Sequence, residues 1–509
     1  MLSAESLGVI RETLPAVAGA IDEITPLFYS KMFAAHPELL RDLFNRGNQA
    51  AGEQPKALAA SIAAFAGMVL EGNGAQYDSV LDRIAHKHAS LGIVAEQYPI
   101  VYEHLFAAIA EVLGGAVTAD VAKAWSEFYW LMADELIARE KALYDAAGVA
   151  PGDVWLQAIV VRRQLESADV AGFELRGVSG KLPNFIPGQY ISVQVTLPDG
   201  ARQIRQYSLS RGSTAGDWRI AVKRLNVGDT PAGEVSNFIY DNVFEGQQLR
   251  VSVPMGEFTL DDSADPLVLV SAGIGCTPIM GMLQELVATQ SPREVVVLHA
   301  DQSAAAHAYR HELADLVGRL PAGRLHTWYE RAHVEHPADG IGRMSLDRLP
   351  IDLSSTVFVC GPGRSCRQST RTWCHSVSLR SRSITSCSVH WRRPWHDARR
   401  GADGGAGGIL AWVGGGDLVY RGATEVPRAG GDHSAGAGHR PPGLPCTERG
   451  GVRAGGGLGA AAGCRQARYR GNRRGCGRVR LSCHPVASDT ARDRAADQRD
   501  PGWRRICRA

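Results

Sequence analysis

The chain has 509 residues, and its 55 Lys+Arg against 53 Asp+Glu give a formal net charge of +2 that describes no single part of it. Beyond residue 363 there are 27 Arg, no Lys and 10 Asp plus Glu, a local charge of +17, which leaves 28 basic and 43 acidic side chains in residues 1–363. Residues 1–275 hold no cysteine, Glu5 and Glu12 interrupt any apolar N-terminal segment, and no apolar run is long enough to span a bilayer. These features argue against a disulfide scaffold, a secreted precursor and stable membrane insertion. The expectation is a cytoplasmic protein with room for three domains.

Residues 1–147 read as almost entirely helical, because Ala and Leu dominate, apolar residues recur at helical spacing, and Gly, Pro and Asn cluster between the runs. Leu81, Ile84, Ala85, His88 and Leu91 form one helical stripe, which turns His88 to the core and His86, about 200° round the helix, elsewhere. On that stripe alone, His88 fits a hydrogen-bonded core histidine better than a metal ligand.

Farther along, Arg205-Gln206-Tyr207-Ser208-Leu209 places a fixed cation, an aromatic face and a hydroxyl on one stretch of strand. That set suits a flavin nucleotide: charge for the diphosphate, a ring to cover the isoalloxazine, a hydroxyl near its reactive nitrogen. The buried-strand run Pro266-Leu267-Val268-Leu269-Val270 then leads into Ser271-Ala272-Gly273-Ile274-Gly275-Cys276-Thr277-Pro278 and a helical pattern at Ile279, Met282, Leu283 and Leu286. A glycine-rich strand-to-helix turn offers backbone N–H groups to a pyrophosphate. Either segment alone is compatible with an ordinary strand edge or tight turn. Their order and spacing call for a small β-domain followed by an α/β domain.

Residues 364–509 have three readings: a basic nucleic-acid arm, a disordered low-complexity extension, or translation in a wrong frame. A basic arm mixes Lys with Arg, and this tail lacks a clear binding pattern. Plausible codons for Gly363 to Trp391, read with an offset of two bases, spell an amphipathic helix, a glycine turn and a strand ending Phe-Gly-Pro. The expectation is therefore a disordered, out-of-frame tail after a nucleotide-binding domain that is cut short, and no nucleic-acid partner.

The segment from about 153 to 363 resembles the ferredoxin-reductase-like flavin and nicotinamide module. Besides the two motifs above, it carries Pro187-Gly188-Gln189-Tyr190, Gly233-Glu234-Val235-Ser236-Asn237 and Val359-Cys360-Gly361-Pro362. The N-terminal part resembles the globin domain of flavohaemoglobins through Phe28-Tyr29-x-x-Met32-Phe33, His36-Pro37-Glu38-Leu39, Phe44-Asn45, Gln54-x-x-x-Leu58, Lys87-His88, the Glu96 to Leu105 run and Arg139-Glu140-x-x-x-Tyr144. The resemblance implies an all-α globin at 1–147, an FAD-binding β-barrel at 153–261 and an incomplete NAD(P)-binding α/β domain at 262–363. It implies haem b held by His88, with Glu140 and Tyr98 orienting the imidazole. Tyr29 and Gln54 would hydrogen-bond dioxygen, Leu58 and Phe28 would exclude water, and Phe44 would pack on the haem face. Lys87 would lie near the flavin or a haem propionate, although a solvated lysine is nearly as good a reading.

FAD would be held by Tyr190, Arg205, Gln206, Tyr207 and Ser208, with Val235, Ser236 and Asn237 opening a helix beneath its phosphates. NADH or NADPH would sit on Gly273, Ile274, Gly275, Cys276, Thr277 and Pro278. The implied activity is nitric oxide dioxygenation, with NO, O2 and NAD(P)H as small-molecule partners and no obligate protein partner. Two alternatives stand beside it: a reductase whose acceptor is not haem, and a haem-based O2 or NO sensor with impaired reductase activity. The tail bears on the second, because the family's terminal aromatic segment covers the flavin.

Overall fold

A computed structural model describes residues 2–361, apart from 51, 72–73, 212–215, 226–232, 332–337, 346–348 and 350–353, together with two-residue strands at 412–413 and 417–418. All but those four tail residues, and with them the reading-frame expectation, lie outside the described residues. Among the described residues of 1–147 there are seven α-helices: α1 (Ala4–Ala35), α2 (Pro37–Asp42), α3 (Arg46–Ala50), α4 (Glu53–Glu71), α5 (Gly74–Leu91), α6 (Tyr98–Leu113) and α7 (Ala119–Ala147). The first starts where Ser3 Oγ accepts the Ser6 N–H at 3.1 Å. Pro15 and Pro26 lie inside α1, so proline is not a boundary at every place it occurs there. An interior proline costs a helix about 3 kcal/mol, and here the buried face of Ile10, Val17, Ile24, Phe28 and Met32 offsets it. Gly148, in the left-handed region at φ 68°, ends α7.

An antiparallel sheet follows, made of β1 (Trp155–Ser167), β2 (Val170–Gly177), β3 (Tyr190–Thr196), β4 (Arg202–Ser208), β5 (Trp218–Lys223) and β6 (Gln248–Ser252), with helix α8 (Glu234–Asn242) between the last two. The spatial order is β4-β3-β6-β1-β2-β5. Just past the end of β4, Ser210 N–H donates to Arg219 O on β5 at 2.8 Å, so the two edges meet and the sheet curls into a barrel. Its interior is filled by Phe173, Leu175, Ile191, Val193, Trp218, Ile220, Val235 and Val251.

The third unit is a parallel sheet of β7 (Leu267–Ala272), β8 (Val295–Asp301), β9 (Gly323–Tyr329), β10 (Gly340–Ile341) and β11 (Thr356–Cys360), with α9 (Cys276–Ala288) and α10 (Arg310–Gly318) as crossovers. Its order is β10-β9-β8-β7-β11. The chain winds outward from β7 in one direction and returns on its other side at β11, which opens a crevice at the carboxyl ends of those two strands. Leu267 to Val270 are buried, as the unbroken apolar run requires.

The barrel and the parallel sheet are joined by Arg219 on β5, whose guanidinium donates to both carboxylate oxygens of Glu312 on α10 at 2.8 Å. Gln284 of α9 donates to the same carboxylate at 2.6 Å, and the Tyr309 ring lies 4.5 Å from the Arg219 guanidinium. Removing one partner of such a pair leaves the other buried and unpaired. Glu312→Ala should therefore destabilise the reductase half by about 2–3 kcal/mol, read as a lower urea midpoint, whereas Glu312→Gln should recover part of it.

Candidate functional site

Helix α5 carries the first half of the site. His88 Nδ1 lies 2.8 Å from Glu140 Oε1 and 3.1 Å from the Tyr98 hydroxyl. The Tyr98 hydroxyl itself donates to the same Glu140 oxygen at 2.5 Å. Glu140, on α7, is only 2% exposed, so the two donors are its means of staying satisfied in the core. This assigns the proton of His88 to Nδ1 and leaves Nε2, with its lone pair, as the nitrogen able to ligate iron. Burial and the Glu140 charge raise the Tyr98 pKa, keeping that hydroxyl a donor. Tyr129 was not anticipated from the sequence. Its hydroxyl donates to Tyr98 O at 2.7 Å and fixes the start of α6 beneath the triad. Arg139, beside Glu140, donates to Glu135, to Asp78 and to Asp82, pinning α7 to α5.

The second half lies on α1 and α4. Tyr29 is hydrogen-bonded to Gln54, and burial raises its pKa, so it remains a neutral donor. Its ring is held by Phe28, Phe33 and Phe44 at centroid distances of 4.6, 5.6 and 5.9 Å. Leu58 packs against the same apolar core. A haem fits this set: a proximal nitrogen with its partner nitrogen already committed, and a distal hydroxyl–amide pair in an aromatic surround.

The other side of α5 meets the barrel. Arg83 lies 3.2 Å from Glu257, His86 Nδ1 accepts the Gly256 N–H at 3.0 Å, and Lys87 donates to the Gln206 side chain. Ser192 Oγ donates to Ser90 Oγ at 3.0 Å and in turn accepts from Gln206 Nε2 at 2.9 Å. Residues 83, 86, 87 and 90 share one helical stripe, so α5 turns one face to the His88 triad and another to the reductase. Lys87 is therefore not a solvated lysine. Burial, aided by the Arg205 charge, pushes it down to about 7. Ser192 and Ser90 are contacts that no sequence pattern singled out.

Arg205, Gln206, Tyr207 and Ser208 lie together on β4, paired with β3 such that Ser208 faces Tyr190. Arg205 is half-buried, and its partial desolvation lowers its pKa; its bonds go to Ile204 O at 2.7 Å and Asn45 Oδ1 at 2.6 Å. The Tyr207 hydroxyl is buried without a partner. A desolvated cation and an orphan hydroxyl on one strand are what a flavin nucleotide would satisfy. Helix α8 begins at Glu234 with no side-chain cap, presenting the Val235 and Ser236 N–H groups. The Asn237 side chain is otherwise engaged, donating to Leu225 O at 3.0 Å and accepting from Leu225 N at 2.8 Å, so it shapes the loop instead of reaching a ligand.

At the crevice, Gly273 has φ 53°, and a Cβ on Gly275 would come within 2.4 Å of Cys360 O on β11. That close approach requires glycine and leaves the turn open above β7. Helix α9 starts at Cys276 with no side-chain cap at Gly275, and the Cys276 N–H is already engaged with Gly273 O and Ile274 O, so the remaining first-turn backbone N–H groups, from Thr277 on, are the ones that could hold an anion. The Cys276 thiol points inward to Ala308 O, and burial pushes it up to about 12. Its side chain is core. Thr277 Oγ1 donates to Ile274 O at 3.1 Å, and Pro278 is buried in the first turn of α9.

Comparison with known proteins agrees with this order. Residues 27–136 match a globin model, residues 157–260 an oxidoreductase FAD-binding domain and residues 269–367 an oxidoreductase NAD-binding domain. A flavohemoprotein of Deinococcus radiodurans is 40% identical over 374 residues, covering 71% of this chain and 91% of that protein. The chain belongs to the flavohemoprotein family. A second flavohemoprotein, from Halalkalibacterium halodurans, is 42% identical over 378 residues, covering 71% of this chain and 90% of its own. The crystal structure of a flavohemoglobin from Malassezia yamatoensis with bound FAD and heme matches with a TM-score of 0.69 at 34% identity, covering 81% of this chain and all of that one. This flavohemoprotein is thus an oxidoreductase that uses haem, FAD and NAD(P)H.

Glu140→Gln keeps an acceptor for His88 Nδ1 but removes its charge. The haem should stay bound while the iron–histidine stretch in resonance Raman falls and the haem potential rises; an unchanged stretch would show that the carboxylate charge is not felt at the imidazole.

Proposed function

We propose that this flavohemoprotein is an NAD(P)H-dependent nitric oxide dioxygenase that detoxifies NO by combining it with O2 to form nitrate. When bound, FAD would take one hydride, and with it two electrons, from NAD(P)H and pass the electrons singly to a haem held by His88, where O2 and NO would combine. The observation that carries the reading is the pairing of a charged proximal set, His88 with Glu140 and Tyr98, with a distal hydroxyl–amide pair, Tyr29 and Gln54. A carboxylate behind the imidazole makes His88 a stronger electron donor, which favours oxygen chemistry over reversible storage. Tyr29, held protonated by burial, donates a hydrogen bond where negative charge develops on oxygen, and Gln54 orients that hydroxyl. Phe28, Phe33 and Phe44 keep water from the same place. The Lys87–Gln206 contact holds the haem-bearing helix on the strand that supplies Arg205. Dependence on NAD(P)H suits a cytoplasmic enzyme.

Tyr29→Phe should leave haem content unchanged but lower nitrate formation from NO under air about a hundredfold, measured by nitrate analysis against NADH consumed. Nitrate formation at the rate of the unaltered protein would contradict the role given to the hydroxyl.

Composition beyond residue 363 favours a second reading for this particular chain, namely an O2- or NO-binding protein whose reductase is impaired. The frame explanation accounts for the lysine-free tail and for the Phe-Gly-Pro strand recovered two bases away. Sequencing the gene across codon 363 should show an insertion or deletion relative to the offset frame, and an uninterrupted native frame would rule the explanation out.

A further inference from the structure

A cavity of about 220 Å³ opens where the outer wall of the barrel meets α10, and none of the residues assigned to haem, flavin or dinucleotide lines it. Arg162, Gln164 and Glu166 line it from β1, where alternate residues share one face of the strand. The β1–β2 register sets Glu174 opposite Arg162 and Gly172 opposite Gln164. Arg219 and Glu312 close the side toward α10 as a bidentate pair.

The charges around this cavity balance in number but not in place. Arg219 and Glu312 neutralise each other. Glu174 lies 3.2 Å from Arg211 and 3.6 Å from Arg162, one carboxylate serving two guanidinium groups. At the other end half-buried Glu166 has neither an ion pair nor a hydrogen bond among the described residues. Burial raises its pKa against the pull of the Arg219 charge. The Tyr309 hydroxyl is also buried without a hydrogen-bond partner, and Ser210, close to it, already donates to Arg219 O and accepts from Arg219 Nε. A Cβ on Gly172 would lie 3.1 Å from both the Tyr309 hydroxyl and Glu166 Oε1, so glycine keeps open the space that both oxygens border. Tyr309 holds this place with its backbone in the left-handed region at φ 60°, which a bulky residue seldom adopts.

Gly172 and Glu174 mark the two unbalanced ends, two strand residues or about 7 Å apart. A guanidinium surplus at one end faces a lone carboxylate and an orphan hydroxyl at the other. That pattern matches a small molecule whose opposite charges are a few bonds apart. We propose that this cavity binds a small zwitterion of the amino-acid type, its ammonium held by Glu166 and the Tyr309 hydroxyl and its carboxylate by Arg162 and Arg211. A ligand so held touches the barrel through Arg162 and Glu166 and the parallel-sheet unit through Tyr309. It therefore braces the same join as Arg219 and Glu312.

The test is isothermal titration calorimetry of the full-length, haem-loaded protein in the presence of FAD, with glycine, β-alanine and γ-aminobutyrate as probes. Butyrate and butylamine, each carrying one of the two charges, are the controls. The best zwitterion of the series should bind with one molecule per chain, and both controls about tenfold more weakly or worse. Glu166→Gln should weaken that zwitterion about tenfold and Tyr309→Phe about fivefold. Arg162→Gln, at an exposed side chain, should weaken it too while leaving the urea midpoint unchanged. No heat from any of the three zwitterions at millimolar concentration would overturn the proposal. So would butyrate or butylamine binding as tightly as the zwitterion, or an affinity that neither Glu166→Gln nor Arg162→Gln alters.

Discussion

One helix has to satisfy two partners at once. The α5 segment presents His88 to Glu140 and Tyr98 on one face and Arg83, His86, Lys87 and Ser90 to the flavin barrel on another. Lys87 and His88 are adjacent in sequence, so the residue proposed to ligate iron and the residue that touches β4 are separated by a single peptide unit. A rigid helix between the two groups means that docking and proximal geometry cannot vary independently. Arg139 strengthens this constraint by tying α5 to α7, the helix that carries Glu140.

The seam itself is polar. Its contacts are Asp42 with Arg202, Arg46 with Asp199 and Glu234, Asn45 with Arg205, and the Gln206–Ser192–Ser90 chain. Surface ion pairs of this kind contribute little individually. Their value here lies in register, because each is directional and together they admit one seating of the globin on the barrel. The Arg219–Glu312 pair does the same between barrel and parallel sheet, in a drier setting. Hydrophobic cores hold each unit together, and hydrogen bonds and charge pairs set how neighbouring units meet.

This division explains what could be read from the chain alone. The all-α unit was legible from its helical spacing and the β and α/β units from the order of the two motifs and the family resemblance, and Gly273 to Pro278 marked the crevice because a buried apolar run precedes that glycine turn and a helical pattern follows it. His88 was ambiguous on its own stripe, since a core histidine and an iron ligand produce the same pattern. Its partners, Glu140 and Tyr98, are 52 and 10 residues away and needed the fold to bring them in. Tyr129, Ser192 and Gln203, whose amide donates to Arg41 O and Phe44 O, were not legible. A polar contact between domains leaves no repeat in sequence, and a glutamine that serves an interface looks like any surface glutamine. Asn237 and Cys276 show the converse, where a motif position contributes backbone while its side chain is used elsewhere.

The central claim is that electrons cross the α5 seam from flavin to iron. It is tested most directly by anaerobic stopped-flow mixing of the haem-loaded protein, supplied with excess FAD, with NADH or NADPH. The account predicts that flavin bleaching is followed by a shift of the Soret band to the reduced form within the same protein molecule, at a rate independent of protein concentration. Flavin reduction with the haem left oxidised would contradict it.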